Sequence, residues 1–467
     1  QAYSRTGTYN SDARNFFRQW MVALRNDQGV GSETEAPGGI GSTVPTYNTA
    51  DATDFPDGTT WAAAVCMVPW QLYIQYGDKQ IIEENMETMM QWLNGMDYYD
   101  FSDEYTYLSS KTSGLSDWLA MDSHTPADLV NNAIYIHMME ITAIMAEAIG
   151  EDEYATILKE RHEKAKAEWN QVYVDPESGR TRNAEGLIVH SQTSYATPLN
   201  FNCFGDENRE KAQQYLAQLA ANPSSSNTNP DGSRVVYPSR GGFRGFGGSP
   251  VETASDFLPY TITTGFSGTP NILPALSRAG KVSEAYSMFT CTDYTSWLYP
   301  VTKGATSIWE RWNGYEAAFE ENNQNRMNSF NHFALGAVGQ WMYEYQLGIT
   351  SDHLNGEAGY KHFILQPQVG GDFTSLEGSY ASNYGVISSS WTADGKGNMT
   401  SYSAVVPANT TAILYLPVNE TAESFGEAEG VTFVAKTVRN NIAVAAYELT
   451  SGSFKFSIAE DGVAVHR

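Results

Sequence analysis

The chain has 467 residues and a formal net charge of −26 at pH 7, and 41% of its residues are hydrophobic. This length is enough for two or three ordinary domains with a large core. The acidic balance argues against nucleic acid, whose binding needs clustered Lys and Arg, and against an anionic membrane surface, whereas a neutral ligand is compatible with it. No apolar run is long enough to span a bilayer. Three distant cysteines without zinc-like spacing predict no disulfide framework, no metal and no cofactor.

Helical periodicity begins at Ser11 to Gln28, where large apolar side chains recur every three or four positions. A Gly- and Pro-rich loop continues to about Asp57; it is acidic and too long for a connector, so we expect it to line a site. Thr60 to Tyr76 is apolar nearly all round, which predicts a buried helix with a kink at Pro69. Asp78 to about Met96 predicts a more polar helix, with the aspartate as its cap.

The same alternation of an apolar and a charged segment repeats along the next 250 residues. These segments cover residues 125–148, 151–172, 191–204, 207–221, 268–276, 281–290 and 328–348. An inner apolar helix followed by an outer charged helix is the pattern of an (α/α) toroid, and about five and a half such pairs are present. We therefore predict a mainly α chain, with an (α/α)6 barrel over residues 1–355 that lacks its first inner helix.

The texture changes after about Tyr360. Short β-rich runs follow one another, separated by Gly, Asn and Asp at the spacing of a β-sandwich. Residues 356–467 are therefore predicted to form a separate all-β domain.

A single carboxylate, Glu310, stands between Trp309 and the pair Arg311-Trp312. Aromatic walls desolvate a carboxylate and raise its pKa, while a neighbouring guanidinium lowers it again. That balance suits a catalytic carboxylate, and aromatic faces suit a sugar ring. The alternative is a buried Arg–Glu pair held between structural tryptophans, since ion-pair networks also perturb pKa values.

Further aromatic and polar residues fall at the ends of predicted inner helices, at Trp61, Asp117-Trp118 and His332. Each also has a structural interpretation: Trp61 as core, Asp117 as a cap near a helix start, and His332 as a satisfied helix-end histidine. Together at one rim they form a sugar-sized pocket of stacking faces and a few polar groups.

Several motifs in order resemble those of the bacterial α-L-rhamnosidases, along nearly the whole chain. They are Gly114-Leu-Ser-Asp-Trp-Leu, Thr263-Thr-Gly-Phe-Ser-Gly-Thr-Pro, Asp293-Tyr-Thr-Ser-Trp-Leu-Tyr, Gly304-Ala-Thr-Ser-Ile-Trp-Glu-Arg-Trp, Ser329-Phe-Asn-His-Phe-Ala-Leu-Gly, Gly359-Tyr-Lys-His-Phe and Tyr384-Gly-Val-Ile-Ser-Ser-Ser-Trp. The resemblance implies an (α/α)6 barrel, a C-terminal β-sandwich, and inverting hydrolysis of terminal α-L-rhamnose from a glycoside, oligosaccharide or polysaccharide.

In that family the Glu of the Trp-Glu-Arg-Trp motif is the general base, which implies this role for Glu310. The family's general acid belongs to an Arg-Glu…Gly-Trp-Thr-Gly-Asp segment that is not in this sequence, and we expect the chain to begin just after it and to be inactive alone. Ala63 stands where the family often has Asp, which would weaken hydroxyl recognition, and Gln340 replaces a common Glu.

We expect three tryptophans to wall the rhamnose and two polar residues to hold its hydroxyls. The wall is Trp61, Trp118 and Trp312, and the hydroxyl ligands are Asp117 and His332. Two alternatives stay open: a different toroid enzyme, such as an unsaturated glucuronyl hydrolase or a polysaccharide lyase, and a non-catalytic carbohydrate-binding relative. A lyase needs cations for a uronate, and the predicted rim has few. The lack of paired cysteines fits a cytoplasm, but the acidic, Asn- and Tyr-rich composition favours the periplasm or the exterior.

Overall fold

A computed structural model describes most of the chain. The described residues are 2–29, 38–41, 43–45, 58–98, 106–109, 116–121, 125–224, 257–315 and 328–466. The acidic loop that was predicted to end near Asp57 lies largely outside them.

In the described part of residues 1–346, the elements longer than an isolated β-bridge are helices. The helices are α1 (Ser4–Asn10), α2 (Arg14–Asp27), α3 (Gly58–Ala62), α4 (Ala64–Tyr76), α5 (Lys79–Tyr98), α6 (Ala127–Ile149), α7 (Asp152–Tyr173), α8 (Gln192–Asn200), α9 (Asp206–Ala221), α10 (Thr269–Arg278), α11 (Val282–Thr290) and α12 (Tyr299–Thr302). A terminal helical segment, residues 334–346, combines a 3-10 turn, an α-helical turn and a π-helical turn.

Local chemistry sets several helix boundaries. Asp78 accepts a hydrogen bond from the Ile81 amide at 3.2 Å, as expected for the cap of α5. Gly77 and Gly150 end α4 and α6 in the left-handed conformation, which glycine adopts without steric cost. Helix α4 runs continuously through Pro69, and the interruption of the predicted helix lies at Ala63, between α3 and α4.

The inner helical elements form a closed ring. In order around the axis they are α1, α4, α6, α8, α10 and the terminal helical segment, which returns to α1. The inner helices are buried nearly all round, whereas α2, α7, α9 and α11 bury one face against them. The alternation of apolar and charged segments therefore did predict the (α/α) barrel. The first inner helix, which was predicted to be missing, is not: the short helix α1 occupies that position.

The described chain from Ile349 onward forms two facing sheets and one short 3-10 helix, His353–Asn355. Their strands are β1 (Ile349–Ser351), β2 (His362–Leu365), β3 (Ser375–Ser382), β4 (Gly385–Ala393), β5 (Met399–Val406), β6 (Thr411–Pro417), β7 (Ser424–Phe425), β8 (Val431–Arg439), β9 (Ile442–Leu449), β10 (Gly452–Ala459) and β11 (Gly462–His466). One sheet has the order β1-β2-β6-β9-β8 and the other β3-β4-β5-β10-β11-β7. A second hydrophobic core fills the space between them, as in a sandwich.

The barrel and the sandwich share side chains at their junction. Tyr9 of α1 belongs to the sandwich core, stacks on Tyr343 at 4.5 Å and donates to the Ile349 carbonyl at 2.9 Å. Strand β1 begins at Ile349, within the predicted barrel range of residues 1–355. It nevertheless belongs to the sandwich, because it pairs with β2 at the edge of the first sheet. Within the described ranges, no helix has both the length and the apolar character to cross a membrane.

Candidate active site

A cavity of about 970 Å³ runs along the barrel axis. One end, which we call the indole mouth, is lined by residues that precede or open inner helices: Thr60, Trp61, Trp118, Phe266, Glu310 and His332. The other end, which we call the junction end, is lined by residues near the ends of inner helices and by the sandwich: Arg278, Glu344, Tyr345, Asp352, Gln366 and Arg439. Inner helices such as α10 and α4 connect the two ends, and at a rise of 1.5 Å per residue their lengths place the ends about 15–20 Å apart.

Glu310 is held at the indole mouth by two neighbouring backbone segments. Its amide donates to the Ser329 carbonyl at 2.8 Å, and the His332 amide donates to the Ile308 carbonyl at 2.8 Å. Residues 308–310 therefore run beside residues 329–332, so that two groups 22 positions apart in sequence face one cavity. The Glu310 side chain lines that cavity, although the residue is only 9% exposed.

The charged neighbour of Glu310 does not hold its carboxylate in a close pair. Arg311 acts on Glu310 through space, while burial lowers the pKa of Arg311. Across the described part of the chain, no side chain donates a hydrogen bond to the Glu310 carboxylate. This differs from the alternative of an Arg–Glu pair fixed between tryptophans, and it leaves the oxygens free to accept a proton from water.

His332 is fixed in one tautomer by the backbone. Its Nδ1 accepts from the Ala334 amide at 3.2 Å, so in the neutral ring Nε2 carries the proton. Burial lowers the pKa of His332, and the nearby Glu310 partly opposes this. The ring stacks on Phe333 at 4.6 Å. His332 therefore presents an N–H donor suited to a hydroxyl group.

Asp117 lies beneath the wall of the mouth and not on it. Its Oδ1 accepts from the amides of Ser267 at 3.0 Å and Gly268 at 2.9 Å, and its Oδ2 accepts from the Gly265 amide at 3.0 Å and from the Thr193 hydroxyl. Burial raises the pKa of Asp117, and these hydrogen bonds oppose the rise. With its acceptor positions occupied, Asp117 is suited to joining two loops, which differs from the predicted role of holding a sugar hydroxyl.

The two loops that Asp117 joins carry aromatic rings of the mouth. The Phe266 amide donates to the Trp118 carbonyl at 2.9 Å. A Cβ on Gly265 would lie 2.3 Å from that carbonyl oxygen, so only glycine allows this approach. Trp118 and Phe266 consequently line the cavity together. Phe266 was not predicted as a site residue, although it precedes an inner helix just as His332 does; this position in the sequence is the signal that could have identified it.

Trp312 faces away from the cavity. It is 2% exposed, its Nε1 donates to the Thr264 carbonyl at 2.7 Å, and its ring meets Trp297 edge to face at 5.6 Å. The geometry therefore favours a supporting role behind the mouth, whereas it was predicted as part of the wall. Trp61 lines the cavity, and Ala63 is fully buried.

Known proteins of one family resemble this chain along nearly its whole length. The family model described as the bacterial alpha-L-rhamnosidase 6 hairpin glycosidase domain matches residues 1–228 and 255–346. The model of the bacterial alpha-L-rhamnosidase C-terminal domain matches residues 348–430. The first model alone covers more than half of the chain.

Curated relatives and solved structures carry the same description. Alpha-L-rhamnosidases of Streptomyces avermitilis and Formosa agariphila are each 29% identical, over 98% and 90% of this chain, but the chain spans only 37% and 39% of their lengths. The structure of the S. avermitilis enzyme complexed with L-rhamnose is 27% identical with a TM-score of 0.75, covering 98% of this chain and 38% of that one. The structure of the Aspergillus terreus enzyme is 24% identical with a TM-score of 0.74, and the match covers 98% of this chain and 44% of that one. At this identity it supports the fold alone.

Proposed function

The chain belongs to the bacterial alpha-L-rhamnosidase family, and we propose that it forms the water-activating side of an active site that releases terminal α-L-rhamnose by inversion. The observation that carries this proposal is the Glu310 carboxylate, which faces the axial cavity among aromatic rings without a close ionic partner. The proposed catalytic unit is the barrel of residues 1–355, and the sandwich of residues 356–467 closes its far end.

Inversion requires two carboxyl groups on opposite sides of the sugar, roughly 6.5–9.5 Å apart, so that a water molecule fits beside the base. In the proposed mechanism, Glu310 removes a proton from this water as its oxygen attacks the anomeric carbon. The glycosidic oxygen leaves with a proton from the general acid. The water proton ends on Glu310, and the product carries the inverted anomeric hydroxyl.

The general acid is proposed to come from outside the described residues. Glu140, Glu344 and Asp352 also line the cavity, but they belong to its junction end. That end is about 15–20 Å from the indole mouth, which is too far for an acid that must share one sugar with Glu310.

The proposed sugar site is the indole mouth. Rhamnose has a methyl group at C5 and no primary hydroxyl, so it suits a pocket walled by Trp61, Trp118 and Phe266. His332 donates to a sugar hydroxyl through Nε2. In this proposal Asp117 and Trp312 do not touch the sugar; they hold the loops that carry the wall.

The test is hydrolysis of an aryl α-L-rhamnoside by the intact protein and its Glu310→Gln variant. Loss of a general base lowers the rate by about 10²–10⁴-fold, and an isosteric amide leaves the fold intact. Glu140→Gln is the matched control, because Glu140 is a carboxylate in the same cavity at the other end, and its rate should stay within about twofold. A Glu310→Gln rate equal to that of the control would remove Glu310 from the role of base.

A further inference from the structure

Two guanidinium groups from the two halves of the molecule converge on one tyrosine at the junction end. Arg278 is the last residue of α10, and its Nε donates to the Tyr345 hydroxyl at 3.1 Å. Arg439 is the last residue of β8, and its charge also acts on Tyr345. All three residues line the axial cavity. We call Arg278, Tyr345 and Arg439 the junction triad.

The cations of the junction triad bind only neutral groups within the described chain. Arg278 also donates to the Asn200 carbonyl at 2.8 Å, and Arg439 donates to Gln366 Oε1 at 2.7 Å while lying 4.3 Å over the Tyr415 ring. Neither guanidinium forms an ion pair there. Two like charges facing one cavity repel each other, and an anion between them would relieve this repulsion.

The acidic groups that face Arg278 already have partners. Glu344 pairs with Arg5 at 2.6 Å, and Glu140 lies 3.0 Å from His137 Nδ1, a contact that is an ion pair only when His137 is protonated. Asp352, a third carboxylate at this end of the cavity, lies 3.7 Å from His362 Nε2. Both carboxylates act on Arg278 only through space. By contrast, Arg209 lines the same cavity and pairs with Asp206 at 2.7 Å. Of the four arginines of the described chain that line this cavity, Arg278 and Arg439 are therefore the two that form no ion pair.

The hydroxyl of Tyr345 completes a set of donors. The residue is 9% exposed, and its oxygen accepts from Arg278, which leaves the hydroxyl proton free to be donated. Arginine forks match the two oxygens of a carboxylate. The surrounding lining includes the amides Asn200, Gln366 and Asn440, which are suited to hydroxyl groups.

We propose that the junction triad is a second ligand site, which binds the carboxylate of a sugar acid while the neighbouring amides hold its hydroxyls. This site lies about 15–20 Å from Glu310, so its ligand does not compete with a sugar at the indole mouth. The charges elsewhere on this acidic chain oppose an anion at the site only weakly, because salt screens charges that lie more than about 8 Å away at physiological ionic strength. The inference does not depend on the rhamnosidase proposal.

The experiment is isothermal titration of the intact protein with D-glucuronate, with D-glucose and acetate as comparison ligands. Glucuronate should bind, glucose should not, and acetate should bind at least about tenfold more weakly, because it lacks the hydroxyls. Arg278→Gln and Arg439→Gln should each weaken glucuronate binding by about tenfold or more, the effect of one lost charge-assisted hydrogen bond. Arg209→Gln is the matched control and should change it by less than about twofold.

If one arginine variant fails to fold, the other still tests the site. Thermal melting of each variant shows whether it is folded. Glu310→Gln should retain glucuronate binding, which separates this site from the proposed catalytic one. No binding of glucuronate to the folded wild-type protein would overturn the proposal. So would unchanged binding in both folded triad variants, or acetate that binds as tightly as glucuronate.

Discussion

Replacing Asp117 with alanine tests whether this carboxylate joins the two loops of the indole mouth. The substitution removes the acceptor of four hydrogen bonds, three from the amides of Gly265, Ser267 and Gly268 and one from the Thr193 hydroxyl. These donors are buried or partly buried, so they cannot all turn to bulk water.

The expected loss of stability follows from the number of donors. A buried donor without a partner costs about 1–3 kcal/mol, and water that enters the vacated space offsets part of the total. We expect Asp117→Ala to lower the free energy of unfolding by about 3–5 kcal/mol. Asp117→Asn keeps the shape and one acceptor oxygen, but its NH₂ group faces the Gly265 amide, so its loss should be about 1–3 kcal/mol.

Urea unfolding followed by tryptophan fluorescence measures both variants. The free energy of unfolding should fall from the wild type to the Asn variant and again to the Ala variant. Rhamnose affinity should fall in the same order, because Trp118 and Phe266 lose their support. An Ala variant that unfolds at the wild-type urea concentration would refute the clamp. Normal stability with lost affinity would instead return Asp117 to direct contact with the sugar.

Three further outcomes test the same structure. Trp118→Ala should raise the KM for an aryl rhamnoside by about tenfold with little change in melting temperature. Trp312→Phe should instead lower the free energy of unfolding by about 1 kcal/mol, because its hydrogen bond to the Thr264 carbonyl is lost, and should leave KM within about twofold. Gly265→Ala should destabilise the protein by about 2 kcal/mol in a urea titration, because its Cβ would meet the Trp118 carbonyl at 2.3 Å. Burial lowers the pKa of His190 from 6.5 to about 3, and the charge of Arg180 lowers it further in the same direction. The folded state therefore binds fewer protons than the unfolded state between these two values. The stability that His190 contributes is complete above its unfolded pKa of about 6.5 and is lost as the pH falls towards 3. His190→Gln should therefore remove about 1.4 kcal/mol per pH unit from the acid-side slope, measured by unfolding between about pH 5.5 and 4.5.

The barrel could be predicted because the burial of each helix determines which residue types its own stretch of sequence contains. Segments such as α4 and α6 are buried on nearly every side and are mostly apolar, while α7 and α9 expose charged faces. This difference is visible in any window of the sequence. The mixed geometry of the terminal helical segment is not, since 3-10, α and π turns have nearly the same composition.

The roles of the individual site residues depend on contacts distant in sequence. Asp117 meets the amides of residues 265–268 about 150 positions away, so its sequence neighbours do not reveal that its acceptor positions are filled. Trp61 and Trp312 are chemically alike, and only the bond from Trp312 to Thr264 decides which of them lies behind the wall. Arg278 and Arg439 belong to different halves of the chain, and no local motif brings them together.

The most direct test of Glu310 as the base is rescue of Glu310→Ala by azide in the intact protein. Azide fits the space of the missing carboxylate and attacks without needing a base to remove a proton. If Glu310 is the base, azide should restore part of the lost rate, and proton NMR should identify the product as β-L-rhamnosyl azide, formed with inversion from the α-rhamnoside. An α-configured azide, or a Glu310→Ala variant that hydrolyses the substrate at the wild-type rate without azide, would contradict it.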